Sequence, residues 1–550
     1  MSPPAPSSGT RRDTGPSPRN PVDLRSPTAD PPSRPMHTWD LACEDNSRPD
    51  ATNAMPRSSS PEPLATDMPD LTEIRTTLEQ VGQDHLLRFH DELDSAGRRR
   101  LLERIEAIEP HRLPALVDRY VKSKPGFEPP ADLAPAPYYP RDPKSSRRAW
   151  PRDEFEREGE RLLRRGAVAV FTVAGGQGTR LGYDGPKGCY PGSAATRKPL
   201  FRCLAEWIVA AQRRYDAVIP WYIMTSPANH DQTVRYFKDQ NWFGLSPEHV
   251  SHFQQGVMPS LDRETGRVLL AAKDEPAVNP DGHGGSLRAL YNSGALEDMR
   301  SRGVEHVSYV QIDNPLVKVI DPVFIGLHAA ADDSSAEMSS KMIPKTDPAE
   351  KVGVFCLSGG KVSVVEYSDL PEDLAAKRDD RGELRFNAGS PAIHMIGVDF
   401  IQRLNEAAGD DGAALTFHRA EKKVPHIDLE TGAPIDPDQP NAVKLEMFVF
   451  DALPLAEQSI VLETDRVEEF APIKNAEGND SSETSRKLQT ERAARWLEQA
   501  GVKIPRTPAG EPDCTLEISP LTAMKPADLL REDIREKLPE RISSGAELAI

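Results

Sequence analysis

The chain has 550 residues, 86 of them acidic and 68 basic, for a formal net charge of −18 at neutral pH. That length predicts a large core with satellites, and an acidic balance without a sustained basic cluster argues against a nucleic-acid surface. The five cysteines (Cys43, Cys189, Cys203, Cys356, Cys514) lack metal-ligand spacing, no apolar run approaches a membrane span, and no signal-peptide core is found, so the expectation is a cytoplasmic protein with reduced thiols.

Residues 1–70 are rich in Pro, Ser, Thr and Asp and poor in aromatics, a composition that predicts a disordered tail. From Leu71 the pattern turns helical: Leu71, Ile74, Leu78, Val81, Leu86, Leu87 and Phe89 recur at helical spacing, then Leu101, Leu102, Ile105 and Ile108. A proline-rich connector closes this segment, 71–150, in which no chemistry is visible. Residues 151–465 form the expected core. Strands are expected at 167–173, 221–225, 307–312 and 352–357, and helices at 204–213 and 233–239. This is the βαβ rhythm of an α/β fold with a doubly wound, mostly parallel sheet, whose ligands sit beyond the carboxyl ends of the strands. Residues 466–550, with a helix over 483–500 and a short apolar stretch at 516–518, read as a small C-terminal domain or lid.

The most informative stretch follows the first strand: Val173 to Gly188, VAGGQGTRLGYDGPKG. Gly175, Gly176, Gly178 and Gly182 remove side chains where backbone must approach a ligand, and successive N–H groups in such a loop suit phosphates. Arg180 and Lys187 add a guanidinium fork and a point charge. A Walker-type loop is excluded because Lys187 is followed by Gly188 and Cys189. A dinucleotide fingerprint is excluded because Leu181 stands where its third glycine belongs.

Further blocks follow in order. Pro280-Asp281-Gly282-His283-Gly284-Gly285 precedes a helical pattern and reads equally as a backbone-approach site or a plain turn. Asp313, ending the strand Tyr309-Val310-Gln311-Ile312, is placed either to hold Mg²⁺ or to cap the turn before Asn314-Pro315. Then come Lys341 to Lys345, Val352-Gly353-Val354, Val364 to Tyr367, Phe386 to Gly389, Glu421 to Pro425, Pro440 to Asp451 and Glu468 to Asn475.

Taken in register, these blocks resemble the UDP-sugar pyrophosphorylases, and most of all the eukaryotic-type UDP-N-acetylhexosamine pyrophosphorylases, from about Leu71 onward. The resemblance implies a Rossmann-like core with a helical N-terminal and a small β-rich C-terminal addition. It implies that UTP and a sugar 1-phosphate, N-acetylglucosamine 1-phosphate first, give a UDP-sugar and pyrophosphate. Gly175 and Gly176 would contact the nucleotide by backbone, Arg180 and Lys187 would hold its phosphates, and Gln255 and Gly282 would recognise uracil. Asp313 would bind Mg²⁺ or Mn²⁺. Gly353, Glu366 and Asn387 would contact the sugar. Lys423 (or Lys422) and Lys444 would contact the sugar nucleotide's phosphates, the plain alternative being solvated surface charges.

Two positions depart from the acetylhexosamine pattern. His283 stands between glycines where that group has Asn, which resembles the UDP-glucose and broad-specificity enzymes instead. Asn387-Ala388-Gly389-Ser390-Pro391 replaces the usual Asn-Ala-Gly-Asn-Ile. Both lie where sugar is expected, so a UDP-glucose or broad UDP-sugar pyrophosphorylase stays open, as does a catalytically silent nucleotide-sugar binding protein. No feature of the sequence sets the oligomeric state.

Overall fold

The computed structural model describes residues 70–123, 129–408 and 415–550. The disorder expected of residues 1–70 falls, apart from Asp70, outside them. Residues 67–550 form one compact unit.

Helix α1 (Leu71–Gln80) is capped by the Asp70 carboxylate, which accepts from Thr72 N, and α2 (Ser95–Ala107) by Asp94, which accepts from Gly97 N. Their apolar faces, Ile74 and Leu78 with Leu101, Leu102 and Ile105, enter the same hydrophobic cluster as the core strands. Each such leucine or isoleucine stabilises the packing by about 1.5–3 kcal/mol. His85 bonds the Val268 carbonyl at 2.8 Å and Gln83 the Gly266 carbonyl at 3.2 Å, which ties the helical segment to the core.

The core opens with α3 (Arg152–Arg164), then β1 (Val168–Val173), α4 (Leu200–Tyr215), β2 (Trp221–Thr225), α5 (His230–Asp239), β3 (Val250–Gln254), α6 (Gly285–Asn292) and β4 (His306–Gln311). Strands β1, β2 and β4 are buried almost throughout, as their unbroken apolar runs require. Helix α4 begins at Leu200, earlier than the expected 204, directly after Pro199, with Leu200 and Phe201 buried. The sheet continues with β5 (Met338–Pro344), β6 (Val354–Ser358) and β7 (His394–Gly397). Its central order is β5-β7-β4-β1-β2-β3. Strands β4, β1, β2 and β3 are mutually parallel, whereas β7 runs antiparallel to both β4 and β5. The sheet is therefore mixed, with a parallel half whose carboxyl ends share one edge. The glycine loop leaves β1 at that edge, Gln255 leaves β3, and Asp313 follows β4.

Strands β8 (Phe417–Lys422) and β9 (Ala442–Met447) are antiparallel neighbours in a separate three-stranded sheet whose third strand is Leu261–Asp262. The C-terminal part is built on α7 (Ser482–Gln499), which starts with a Ser481/Thr484 capping box, beside a two-stranded parallel sheet of β10 (Thr515–Glu517) and β11 (Glu547–Ala549). It is fastened to the core near the phosphate loop. Gln489 donates to the Gly192 carbonyl at 2.9 Å, and Glu517 accepts from Ala195 N and Thr196 N at 3.0 and 2.9 Å. Among the described residues no helix is long and apolar enough to cross a membrane.

Candidate active site

The loop after β1 is held by its own backbone. Gly178 N donates to the Gly185 carbonyl at 2.9 Å and Lys187 N to the Gly176 carbonyl at 3.0 Å. The Asn229 amide, just before α5, bonds the carbonyls of Ala174 and Gly176 at 3.0 and 3.2 Å. A Cβ on Gly175 would collide with Oε1 of Gln255, so the phosphate loop and the β3 exit meet there.

Lys187 and Asp313, 126 residues apart in sequence, form an ion pair of 3.1 Å with side chains only 15% and 12% exposed. Asp313 is held from behind: Ile473 N donates to its carbonyl at 2.9 Å, and the Asn314 amide bridges the Glu469 carbonyl and Ala471 N. Arg180 lies exposed on the same loop, with no partner among the described residues.

Gly282 has φ +85°, and a Cβ there would strike the Met447 carbonyl at the end of β9. That close approach sets His283, whose Nδ1 accepts from Val449 N at 3.1 Å and whose ring stacks on Phe448 at 5.2 Å. Burial, with His418 nearby, holds its pKa down at about 4. The ring is thus neutral at pH 7, and with Nδ1 accepting, Nε2 carries the proton.

His283, Asp313, Gly353 and Glu366 converge on one cavity of about 160 Å³, which Ser390, Pro391 and Ala392 also line. Burial, with Asp369 beyond it, pushes the Glu366 carboxyl up. Val352 and Gly353 line the cavity ahead of β6, which starts at Val354 rather than at the expected 352. Lys351 and Lys474 face the cavity as well. Neither had been assigned a role from sequence. The signal for Lys474 lay in the block Glu468 to Asn475, and its placement depends on the Ile473–Asp313 bond. A glycine loop, an ion pair at its rim and cations around a polar cavity together suit a phosphorylated ligand.

The chain matches the UTP–glucose-1-phosphate uridylyltransferase family over residues 143–490. It belongs to that family. It is 37% identical to the human UDP-N-acetylhexosamine pyrophosphorylase-like protein 1, covering 82% of this chain and 92% of that one. It is 35% identical to the UDP-N-acetylglucosamine pyrophosphorylase of Saccharomyces cerevisiae, covering 79% and 92%. A solved UDP-N-acetylglucosamine pyrophosphorylase from Trypanosoma brucei, in complex with inhibitor, superposes with a TM-score of 0.72 at 27% identity, covering 87% and 99%. The family resemblance and the α/β fold read from the sequence both hold, and the chain is a nucleotidyltransferase by family.

Within this family member the remaining expected residues are spread out. Gln255 lines a cavity of about 300 Å³ together with Asp281, whose carboxyl is pushed up to about 7 by burial. Asn387 faces a different cavity from His283. Lys423 is exposed just beyond β8, and Lys444 is half-buried on β9; the structure brings neither into the His283 cavity. Both departures from the pattern expected of the acetylhexosamine enzymes, His283 and Ser390-Pro391, meet in that one cavity.

Proposed function

We propose that the protein transfers the uridylyl group of UTP to a sugar 1-phosphate, N-acetylglucosamine 1-phosphate in the first instance, releasing pyrophosphate. The observation that supports this most is the Lys187–Asp313 pair, which joins the rim of the glycine loop to the cavity lined by His283, Gly353 and Glu366. A phosphate oxygen of the sugar 1-phosphate attacks the α-phosphorus of UTP. The bond from that phosphorus to the bridging oxygen breaks on the opposite side, and pyrophosphate departs with the electron pair. The attacking phosphate is already anionic, so the reaction needs no general base. Lys187 and Arg180 neutralise charge growing on the α-phosphate, and the loop amides orient it. Lys351 and Lys474 hold the incoming phosphate, while His283 Nε2–H and Glu366 meet sugar oxygens.

A divalent cation suits this donor set. Asp313 is paired with Lys187, and among the described residues no cluster of three acidic, histidine or cysteine side chains could hold a metal. Mg²⁺ is commonly bound through one carboxylate plus substrate phosphates. Asp313 would hold Mg²⁺ or Mn²⁺, which when bound withdraws charge from the phosphates. The four described cysteines are free thiols, which supports a reducing, cytoplasmic setting.

The test is pyrophosphate release from UTP and Mg²⁺ with the 1-phosphates of N-acetylglucosamine, N-acetylgalactosamine, glucose and galactose. Release chiefly with the acetylated sugars is expected. His283 favours a second reading, a glucose or broad-specificity enzyme, and release chiefly with glucose or galactose would establish it. Tight UTP binding without release from any sugar would leave a binding protein.

A further inference from the structure

A second cavity, of about 530 Å³, lies beside Asn387 and shares no lining residue with the His283 cavity. It is walled by the end of β5, the 138–147 connector and the 378–387 loop. Five cationic and three acidic side chains line it. Two of the cations are paired: Arg141 with Asp465, and Arg147 with Glu383. The others are not. Arg378 bonds only the Gly382 carbonyl, and Arg381 has no ion pair among the described residues. Lys345 is the telling one. It is 5% exposed, and its ammonium reaches only the Pro348 carbonyl at 3.4 Å, with no carboxylate in salt-bridge range. Burial lowers its pKa. The side-chain amide of Asn387 likewise has no hydrogen-bond partner among the described residues.

A buried ammonium with no carboxylate in salt-bridge range, Glu350 and Asp347 attracting it only from farther off, is costly, and such a group calls for an explanation. None of the substrate chemistry above uses it. We propose that this cavity binds a small phosphate monoester, with Lys345 as the central charge, Arg378 and Arg381 as forks on the outer phosphate oxygens, and Asn387 on a hydroxyl of the ester's organic part. One buried point charge and two exposed guanidinium groups on the same cavity can together serve three phosphate oxygens, and the cavity is much larger than a bare phosphate ion needs. The site is coupled to the substrate cavity by backbone. Lys345 N donates to the Asn387 carbonyl at 2.8 Å, Gly389 N to the same carbonyl at 3.0 Å, and Ser390 N to the Gly353 carbonyl at 2.8 Å. A ligand that draws on Lys345 and Asn387 therefore acts on the wall carrying Gly353 and Ser390. That kinetic consequence rests on the proposed uridylyl transfer; the binding does not.

The experiment is calorimetric titration of glucose 6-phosphate, and separately of inorganic phosphate, into the full chain saturated with UDP-N-acetylglucosamine and Mg²⁺. One equivalent of glucose 6-phosphate is expected to bind, about tenfold or more tighter than inorganic phosphate, as extra hydrogen bonds to the sugar would give. Lys345→Gln should weaken it by about tenfold or more, and Arg381→Gln, an exposed position that leaves the fold and the basal activity intact, severalfold. Absence of binding up to about 10 mM, binding unaltered in the Arg378→Gln/Arg381→Gln double variant, or displacement of the bound UDP-sugar would overturn the proposal. Equal affinity for both probes would overturn the role given to Asn387. If UDP-N-acetylglucosamine itself fails to bind, it is the N-acetylglucosamine reading of the active site that fails, and the same titration of the free protein and its variants still decides the second site.

Discussion

In the proposed reaction, the phosphate side and the sugar side of the candidate active site are built differently. On the phosphate side, residues 173–188 form one contiguous loop, closed by its own backbone bonds and pinned by Asn229, with Lys187 locked to Asp313. On the sugar side, His283, Gly353, Glu366, the 390–392 segment and Lys474 arrive from separate stretches of chain. The charge-neutralising half is a local, preorganised piece. The selecting half is a composite wall, and any one of its parts can change without dismantling the others. The two places where the sequence departs from the pattern expected of the acetylhexosamine enzymes, His283 and Ser390-Pro391, lie in that second half.

The comparison can be broken most sharply at Lys187. Lys187→Ala should lower turnover by about 10²–10³-fold, the scale of one preorganised electrostatic contact, with thermal unfolding little changed. A variant within threefold of wild type, correctly folded, would remove Lys187 from the chemistry. Next in size, Gly282→Ala must place a side chain at φ +85° and against the Met447 carbonyl. About 1–3 kcal/mol of strain should appear as a tenfold or larger fall in kcat/KM for UTP in steady-state kinetics. Normal kinetics would show that the turn does not need glycine.

His283→Asn should sharpen the comparison from the other side. It is expected to raise the preference for N-acetylglucosamine 1-phosphate over glucose 1-phosphate, by about tenfold if one polar contact is exchanged, while leaving turnover on the better substrate near wild type. An unchanged ratio of kcat/KM values would take the position out of sugar selection.

The smallest effect is on stability. His283, His252 and His394 are all held below the ordinary histidine pKa by burial, the first two at about 4 and the last at about 3. In the window from about 6.5 down to about 4 the unfolded chain binds more protons at these sites, so stability is full above 6.5 and is lost as pH falls. Asp281, raised to about 7, works in the opposite sense over pH 4 to 7. Glu366, also raised by burial, acts with Asp281, and the three histidines outweigh these two acids, so Tm should decline on acidification from 7 to 5. His283→Asn should flatten that slope by at most about 1.4 kcal/mol per pH unit. A steeper slope in the variant would reverse the assignment of His283 as a buried neutral ring.

Much of the phosphate half was legible because its pieces are adjacent in the chain. A strand, a glycine loop and two cations within a short run leave little freedom, and Trp221–Thr225 folds as read because every residue is buried between neighbouring strands. The pairing of Lys187 with Asp313 was not legible; each was read for its own ligand, and only the parallel pairing of β1 with β4 brings them together. Asn387 shows the limit more clearly. Its motif suggests a sugar contact, but where the amide lies depends on how the residues just after it pair with β5, Ala388 opposite Pro344 and Gly389 opposite Ile343, and Asn387 lines the Lys345 cavity. Lys474 was missed for a similar reason: a lysine in a loop reads as solvated charge until its neighbour Ile473 is seen bonded to Asp313.

The most direct measurement is kcat/KM for N-acetylglucosamine 1-phosphate and for glucose 1-phosphate, read by pyrophosphate release, in the wild type, Lys187→Ala and His283→Asn. The division of labour described above requires Lys187→Ala to depress both values by the same factor and His283→Asn to change their ratio. A Lys187→Ala variant that alters the ratio while His283→Asn leaves it untouched would contradict it.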